Sequence, residues 1–362
     1  MHDFASLARF GGVLATDLLD VTGDPEALES AGWWAVAADY GGALVCARFG
    51  RVRPAPPPPP GRWRGPDPDR WTSSLDRAGY LAGVRRIRAH IAAGEVYQAN
   101  LCRVLTAPLP APEPGGTADI DALTGELARG NPAPYAGTIR LPSHGVEIAT
   151  ASPELYLRRR GGTVESGPIK GTGRTDADLL DKDYAENVMI VDLVRNDLGR
   201  VCVPGSVTVP DLCVTEKHPG LVHLVSTVRG VLRSGAGWPE LLAGTFPPGS
   251  VTGAPKSSAL RIIDSLETAP RGPYCGGIGW VDADRGTGEL AVGIRTFWID
   301  RPPDGPVLRF GTGAGITWGS DPAAEWEETQ LKAARLLAVA SEVRQAGVPG
   351  AAPGDTVRGD QR

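Results

Sequence analysis

Apolar residues along the chain follow two spacings, one typical of helices and one typical of strands. Positions three and four residues apart predict helices at residues 74–93, 117–129, 181–197, 259–266 and 322–347. Thr117 and Asp321 are the expected N-caps of the second and the last of these helices. Gly347 is expected to end the last one.

Short apolar runs bounded by glycine, proline or charged residues predict the strands. Two of these runs, 33–37 and 43–47, lie in the first fifty residues. The others lie at 96–106, 136–141, 146–157, 207–214, 224–232, 276–282, 290–299 and 307–311. The sequence contains no internal repeat.

The chain divides into four stretches. Residues 1–52 are a short β-rich segment of the same fold as the rest, and residues 53–73 are a Pro-rich segment, expected to form an extended and exposed linker. Residues 74–347 contain most of the predicted elements and form the expected main domain. Residues 348–362 are expected to be a disordered tail.

Composition and charge exclude several function classes. The chain has 362 residues and a formal net charge of −5, which argues against nucleic acid as its main partner. Its five scattered cysteines argue against a disulfide framework or a zinc site, and they fit a reducing cytoplasm. No apolar run approaches about 18 residues, so we expect no membrane span and no signal peptide.

Two predicted helices carry carboxylates that could either form ion pairs or bind a metal ion. The helix at 181–197 is apolar on nearly every side in its middle, which predicts a buried helix, yet it contains Glu186. A buried carboxylate is costly unless it is paired or bound to a metal ion. On the last helix, Glu325, Glu328 and Lys332 share one face. Either Glu328 and Lys332 form an exposed i, i+4 pair, or the carboxylates Glu325 and Glu328, together with Glu186, offer oxygen ligands for Mg²⁺.

Lys170 and Glu154 are candidates for catalysis. Lys170 lies between Pro168, which has a fixed φ angle, and Gly171, which tolerates unusual backbone angles. Such a turn can direct a single amine into a cavity, although a solvated surface lysine is the simpler interpretation. Glu154 lies between apolar residues on a predicted strand and therefore faces either solvent or a cavity.

Two glycine-rich stretches have only a superficial likeness to nucleotide-binding loops. Residues 249–257 lack the four-residue gap of a P-loop, and Pro255 lies where the helix would have to begin. Residues 311–316 have Ile316 where the dinucleotide fingerprint needs its last glycine. We therefore exclude ATP and NAD sites. Both stretches still offer backbone N–H groups that could hold a carboxylate.

Several long motifs over residues 75–340 make the chain similar to one family, the chorismate-utilising enzymes. This family includes anthranilate synthase, aminodeoxychorismate synthase, and the isochorismate and salicylate synthases. The motifs are Gly-Glu-Val-Tyr-Gln-Ala-Asn-Leu at 94–101, Ser-Pro-Glu at 152–154, Pro-Ile-Lys-Gly-Thr at 168–172, Ala-Glu-Asn-Val-Met-Ile-Val-Asp-Leu-Val-Arg-Asn-Asp at 185–197, His-Leu-Val-Ser at 223–226, Phe-Pro-Pro-Gly-Ser-Val-Thr-Gly-Ala-Pro-Lys at 246–256, Ile-Arg-Thr at 294–296, Gly-Ala-Gly-Ile-Thr at 313–317 and Glu-Trp-Glu-Glu-Thr at 325–329. The first seventy residues match weakly.

The resemblance implies an α+β fold, a chorismate-binding α/β sandwich with mostly antiparallel sheets and helices packed outside. It implies that chorismate binds Mg²⁺ held by Glu186 and Glu328, with Glu325 nearby. The residues that it assigns to substrate binding are Thr172, His223, Thr252, Arg295, Gly313, Ala314, Gly315 and Lys332.

Lys170 makes the chain most similar to one branch of the family. Aminodeoxychorismate synthases have lysine at this position, where anthranilate synthases carry alanine. The resemblance implies that Lys170 attacks C2 of chorismate, that Glu154 protonates the departing C4 hydroxyl, and that ammonia then enters at C4. An ordinary lysine is protonated at pH 7, so we expect Glu154 and Lys170 to titrate as a coupled pair. The ammonia is expected from a separate glutamine amidotransferase.

Overall fold

The helices and strands follow one another in mixed order along the chain. The computed structural model describes residues 6–55, 63–110, 119–173, 175–218 and 221–341. In these ranges the helices are α1 Arg77–Ala92, α2 Ile120–Gly130, α3 Asp181–Gly199, α4 Trp238–Thr245, α5 Lys256–Leu266 and α6 Pro322–Ala340. The strands are β1 Leu7–Phe10, β2 Val13–Thr22, β3 Trp33–Ala38, β4 Leu44–Pro54, β5 Thr72–Ser73, β6 Gln98–Pro108, β7 Tyr135–Leu141, β8 Val146–Ser152, β9 Leu155–Arg160, β10 Thr163–Gly167, β11 Ile169–Gly173, β12 Thr208–His218, β13 Leu221–Val231, β14 Gly253–Ala254, β15 Gly277–Asp282, β16 Thr287–Val292, β17 Thr296–Asp300 and β18 Val307–Ile316.

The strands join into one antiparallel network. From one end, its order is β6, β18, β17, β8, β7, β1, β2, β4, β3, β15, β16, β9, β10, β13 and β12. A sheet of this width does not stay flat, because strand twist curls it or splits it into packed layers. The largest buried cluster accordingly contains Val104 of β6, Phe10 of β1 and Ile278 of β15, which lie far apart in that order.

The helices cover the sheet and complete its core. Helices α2 and α6 pack in a cluster that contains Phe297 and Phe310, whose rings lie 4.6 Å apart between centroids. Helices α1 and α5 pack in another cluster, with Leu101 and Ile316. This arrangement confirms the predicted α+β class, with mostly antiparallel strands and helices packed outside. None of the helices in the described ranges is both long and apolar enough to cross a membrane.

The N-terminal strands belong to the same sheet as the rest, since β1 pairs with β7 and β3 pairs with β15. The segment interpreted as a linker is anchored in its described part. Trp63 is buried and its indole N–H donates to the carbonyl of Ala340 at 2.8 Å, while Trp71 donates to the hydroxyl of Ser341 at 2.9 Å. Both contacts hold the C-terminal end of α6. The tail 348–362 lies outside the described residues.

Three predicted boundaries were wrong. Thr117 lies outside the described residues, and the side chain of Asp119 caps α2 instead, by accepting from the N–H of Asp121. The single strand predicted at 290–299 is two strands, because the chain changes its strand partner from β9 to β8 around Arg295, which has a φ angle of +51°. Helix α6 begins after the predicted cap Asp321 but ends at Ala340, before Gly347.

The apolar middle of α3 predicts a helix that is buried on all sides. The structure shows that it is buried on only one face. One face is buried, with Ile190, Val191 and Val194 in the core. On the opposite face, Val188 is 49% exposed and Asp192 forms an exposed ion pair with Arg195. The helix packs against β11, β12, β13 and α4, and this packing leaves the face with Val188 and Asp192 exposed.

Candidate active site

Lys170 lies on β11, which pairs with β13. The pairing shifts by one residue at Gly171, which has a φ angle of +73°. A Cβ atom at Gly171 would lie 2.9 Å from the Cβ of Asp183, so both the backbone angle and the close contact require glycine. This β-bulge changes the strand direction directly after Lys170. The Lys170 ammonium, only partly exposed, donates a hydrogen bond to the carbonyl oxygen of Ser250 at 3.4 Å.

Glu154 links β8 to β9 and is only 4% exposed, so it faces the interior and not solvent. Burial raises the pKa of its carboxyl group to about 7. A hydrogen bond from the Ser250 hydroxyl, the charge of Lys170 and the N–H of Ile169 limit that rise. A carboxyl group that is still partly protonated at neutral pH has the property that a general acid needs.

Ser250, which the sequence had not singled out, contacts both candidate catalytic groups. Its hydroxyl hydrogen-bonds to the Glu154 carboxyl, and its carbonyl accepts from Lys170. Ser250 lies in the 3₁₀ turn Gly249–Val251, and the buried Arg271 supports this turn by donating to the carbonyl of Val251 at 2.9 Å. The only signal in the sequence was its place inside the motif at 246–256.

Three carboxylates from two helices influence one another electrostatically, and the charge of Lys170 acts on two of them. Glu186 lies on α3, and Glu325 and Glu328 lie on α6. Burial raises the pKa of Glu186, and the charge of Glu328 raises it further, while Lys170 lowers it. Burial also raises the pKa of Glu325, again with a contribution from Glu328. Mutual repulsion between these groups indicates a site that a cation would stabilise.

Lys332 connects this cluster to β18. Its ammonium lies 2.6 Å from Oε1 of Glu328 and donates to the carbonyl of Gly313 at 3.2 Å. Burial alone would raise the pKa of Glu328, but the ion pair with Lys332, together with the charges of Lys182 and Lys170, makes the net shift downward. The i, i+4 pair suggested by the sequence is therefore formed, with Glu328 kept ionised.

The donor set fits a magnesium ion in its chemistry. Mg²⁺ prefers carboxylate oxygens and is usually held by only one or two protein carboxylates plus substrate and water. Glu186 and Glu328 supply two such groups, and Glu325 supplies a third nearby. Over the described parts of the chain, no three acidic, histidine or cysteine side chains are already arranged around a metal position. The chemistry of these carboxylates is therefore compatible with a magnesium ion.

Arg295 occupies the break between β16 and β17. Burial lowers the pKa of its guanidinium, and within the described residues no hydrogen bond or ion pair to that group is formed. Its carbonyl accepts from the N–H of Ala151, which places this segment beside the strand that leads to Glu154. A half-buried guanidinium without a counter-charge is suited to an anionic ligand.

Gly313, Ala314 and Gly315 lie on β18 and not in a loop. β17 pairs with β18 only as far as Phe310, so residues 311–316 have β6 as their strand partner on one side. Alternate N–H groups of this stretch consequently point away from β6. A Cβ atom at Gly315 would lie 2.2 Å from Nε2 of Gln98, so the Gln98 amide would have to move before a larger residue could occupy this position.

Thr172, His223 and Thr252 are the other residues that the sequence assigned to substrate binding. Thr172 lies opposite His223 in the β11–β13 pairing, but its side chain is outside the described part of the structure. His223 is buried on β13. The Thr252 hydroxyl is 3.1 Å from the carbonyls of Pro248 and Gly249, so it stabilises the turn next to Ser250. The structure thus links Lys170 and Lys332 electrostatically to the carboxylates Glu186 and Glu328.

Curated relatives of this chain fall into two groups. It is 38% identical over 282 residues to anthranilate synthase component 1 1 of Haloarcula marismortui, an alignment that covers 75% of this chain and 55% of the relative. It is 38% identical over 281 residues to aminodeoxychorismate synthase component 1 of Klebsiella aerogenes, with 74% and 59% covered. The chain thus spans little more than half the length of these relatives.

Solved structures share the fold of this chain, and a family model identifies its family. Anthranilate synthase component I from Streptococcus pneumoniae TIGR4 superposes with a TM-score of 0.68 at 23% identity, over 93% of this chain and 81% of that one. MenF, the menaquinone-specific isochorismate synthase from Escherichia coli, superposes with a TM-score of 0.74 at 19% identity, over 94% and 89%. The family model described as chorismate binding enzyme matches residues 39–338. The chain is therefore a member of the chorismate binding enzyme family.

Proposed function

We propose that this protein converts chorismate and ammonia to 4-amino-4-deoxychorismate. The observation that carries the proposal is Lys170, whose amine lies in one site with Glu154 and the carboxylate cluster. The motif around Lys170 resembles that of aminodeoxychorismate synthases, and two such relatives are 38% identical to this chain. An amine in that position supplies a nucleophile that an alanine does not.

In the proposed reaction Lys170 is the nucleophile, and Glu154 is first an acid and then a base. The neutral Lys170 amine forms a bond to C2, the ring double bonds shift, and the C4 hydroxyl leaves with the Glu154 proton as water. Ammonia then forms the new C–N bond at C4 and expels the lysine amine. The extra proton on the incoming nitrogen returns to the Glu154 carboxylate. Ser250 holds Glu154 and Lys170 in place for both steps.

The carboxylates of chorismate require positive charge and N–H donors. Arg295 offers an unpaired guanidinium, and those N–H groups of residues 313–315 that point away from β6 offer donors on β18. Lys332 supports this strand through its bond to Gly313. When bound to Glu186 and Glu328, Mg²⁺ would neutralise negative charge on the substrate.

Two alternatives predict different products. Anthranilate synthase activity would give anthranilate and pyruvate, and a non-catalytic chorismate-binding subunit would give neither. The test is to incubate the purified chain with chorismate, Mg²⁺ and ammonium and to identify the products by mass spectrometry. Anthranilate with pyruvate would overturn the proposed activity, and unchanged chorismate would favour the binding subunit.

Exchanging Glu328 for glutamine should weaken the binding of Mg²⁺ and of chorismate together. The variant keeps the size of the side chain but loses the charge, so we expect affinities lower by on the order of tenfold or more. Calorimetric titration of Mg²⁺ with and without chorismate measures both. Glu327→Gln, an exposed neighbour on the same helix, is the control. Unchanged metal affinity in a folded Glu328→Gln variant would refute the assignment.

The chain is expected to use ammonium but not glutamine. Glutamine hydrolysis commonly needs a reactive cysteine thiolate. Burial raises the pKa of the Cys46 thiol to about 12 and also raises the pKa values of Cys102 and Cys202, which makes them poor nucleophiles. A separate glutamine amidotransferase would then supply the ammonia. The measurement is product formation with glutamine as the sole nitrogen source, where turnover by the chain alone would contradict this expectation.

A further inference from the structure

A small cavity lies beside Glu154, among the buried ends of several elements. Its volume is about 20 Å³, enough for one molecule of the size of water. Glu154 and Ser250 border it, and so do Ser166 of β10 and Val194 and Asp197 of α3. Because Glu154 and Ser250 are also the contacts of Lys170, a molecule in this cavity would lie next to the reacting groups.

Ser166 gives the cavity a polar group that the protein leaves unused. Ser166 is only 6% exposed, and no hydrogen bond from its hydroxyl to any described residue is formed. A buried hydroxyl without a partner is costly, so it favours a bound molecule with hydrogen-bonding capacity. Asp197, by contrast, is already held by the Lys256 ammonium at 2.6 Å.

We infer that this cavity binds the ammonia molecule that the amination step consumes. The inference rests on the proposed function and adds a binding site for the second substrate. Ammonia has the size of water, three N–H donors and one lone pair, so it can pair with the Ser166 hydroxyl and the Glu154 carboxyl. Apolar residues such as Val194, Leu155 and Val292 form much of the wall and favour neutral ammonia over the ammonium ion.

The position of the cavity also explains how the proton lost by the incoming ammonia returns to Glu154. Glu154 becomes a carboxylate once it has protonated the leaving hydroxyl. Ammonia that attacks C4 from beside Glu154 gains a bond to carbon and must lose a proton, and the carboxylate next to it accepts that proton. One carboxyl group therefore serves as acid and then as base, provided that the nitrogen enters on its side.

Removal of the Ser166 hydroxyl tests the polar contact. Ser166→Ala should raise the KM for ammonium by about fivefold, the effect of one neutral hydrogen bond, without changing the KM for chorismate. A structural defect would alter both constants, so the comparison isolates binding of the nitrogen substrate. Equal KM values for ammonium in the variant and the wild type would refute the role of Ser166.

Enlarging the cavity tests its size limit. The cavity fits one small molecule, so the wild type should not use methylamine, whereas Val194→Ala leaves additional room and should gain methylamine-dependent turnover. Val191→Ala is the matched control, since Val191 is equally buried on α3 but does not border the cavity. Methylamine turnover in both variants, or in neither, would overturn the cavity assignment.

Wild-type product formation with ammonium separates this inference from the proposed function. If the wild type makes no aminated product, the proposed function fails. If it makes 4-amino-4-deoxychorismate while Ser166→Ala and Val194→Ala respond to ammonium and methylamine as the wild type does, only the cavity assignment fails.

Discussion

Replacing Lys170 by alanine is expected to lower the rate of 4-amino-4-deoxychorismate formation by on the order of 10³-fold or more, which corresponds to about 4 kcal/mol of transition-state stabilisation. The variant loses the amine that would bond to C2 and retains Glu154, Arg295 and the carboxylate cluster. Chorismate should still bind with Mg²⁺, because Lys170 is not one of the proposed ligands. Steady-state kinetics and calorimetric binding of chorismate to the variant measure the two properties separately.

Lys182→Ala is the matched control for the loss of charge. Lys182 is an exposed residue of α3 whose charge also acts on Glu186 and Glu328, but it is not part of the proposed reaction. Its removal should leave turnover within about threefold of the wild type, as for a surface charge. Near-normal turnover in Lys170→Ala would eliminate the covalent mechanism. Equal losses in both variants would show that only positive charge is required.

The sequence was most informative where structure is set by local interactions. Asp321 and Pro322 begin α6 as predicted, since a capping carboxylate and a proline at the first helical position act within a few residues. Thr117 failed as a cap because the competing Asp119 lies two residues later, with a side chain of similar capping ability. Thr117 and Asp119 were both suitable N-caps by local chemistry, and the sequence alone did not select between them.

The break at Arg295 illustrates what apolar patterning does not reveal. Residues 290–299 have the composition of one strand, but the chain leaves the sheet at 293–295 and re-enters beside another partner. The change of partner depends on where β8 and β9 lie, and these strands are more than 130 residues away in sequence. The residue with the strained φ angle is also the one assigned to the ligand, as is common at functional sites.

Contacts between distant segments explain why Ser250 was missed. Its hydroxyl reaches Glu154, and its carbonyl reaches Lys170 80 residues away. A serine in a stretch rich in glycine and proline has no local feature that distinguishes it from a turn residue. The carboxylates were easier to identify, because Glu186 interrupts an apolar helix and Glu325 and Glu328 share one helical face.

Exchanging Glu154 for glutamine is expected to lower turnover by on the order of 10²–10⁴-fold, because the amide cannot protonate the leaving hydroxyl. The wild type should lose activity as the pH rises through about 7, where Glu154 ionises. The pH–rate profile of the variant should lack that decline. Glu165→Gln, a substitution on β10 in a residue paired with Arg229, should retain both turnover and the wild-type profile.

The same exchange should stabilise the folded protein at alkaline pH. Burial raises the pKa of Glu154 from 4.5 to about 7, so folding opposes its ionisation, and stability is lost as the pH rises between these two values. At pH 8 the cost is about 3 kcal/mol, at about 1.4 kcal/mol per pH unit. Part of this cost is already present at pH 5. Glutamine does not titrate, so the free energy of unfolding of Glu154→Gln relative to the wild type should increase by roughly 2–3 kcal/mol between pH 5 and pH 8. Urea unfolding at both values measures the difference, and a pH-independent difference would show that the Glu154 carboxyl is not held neutral by burial.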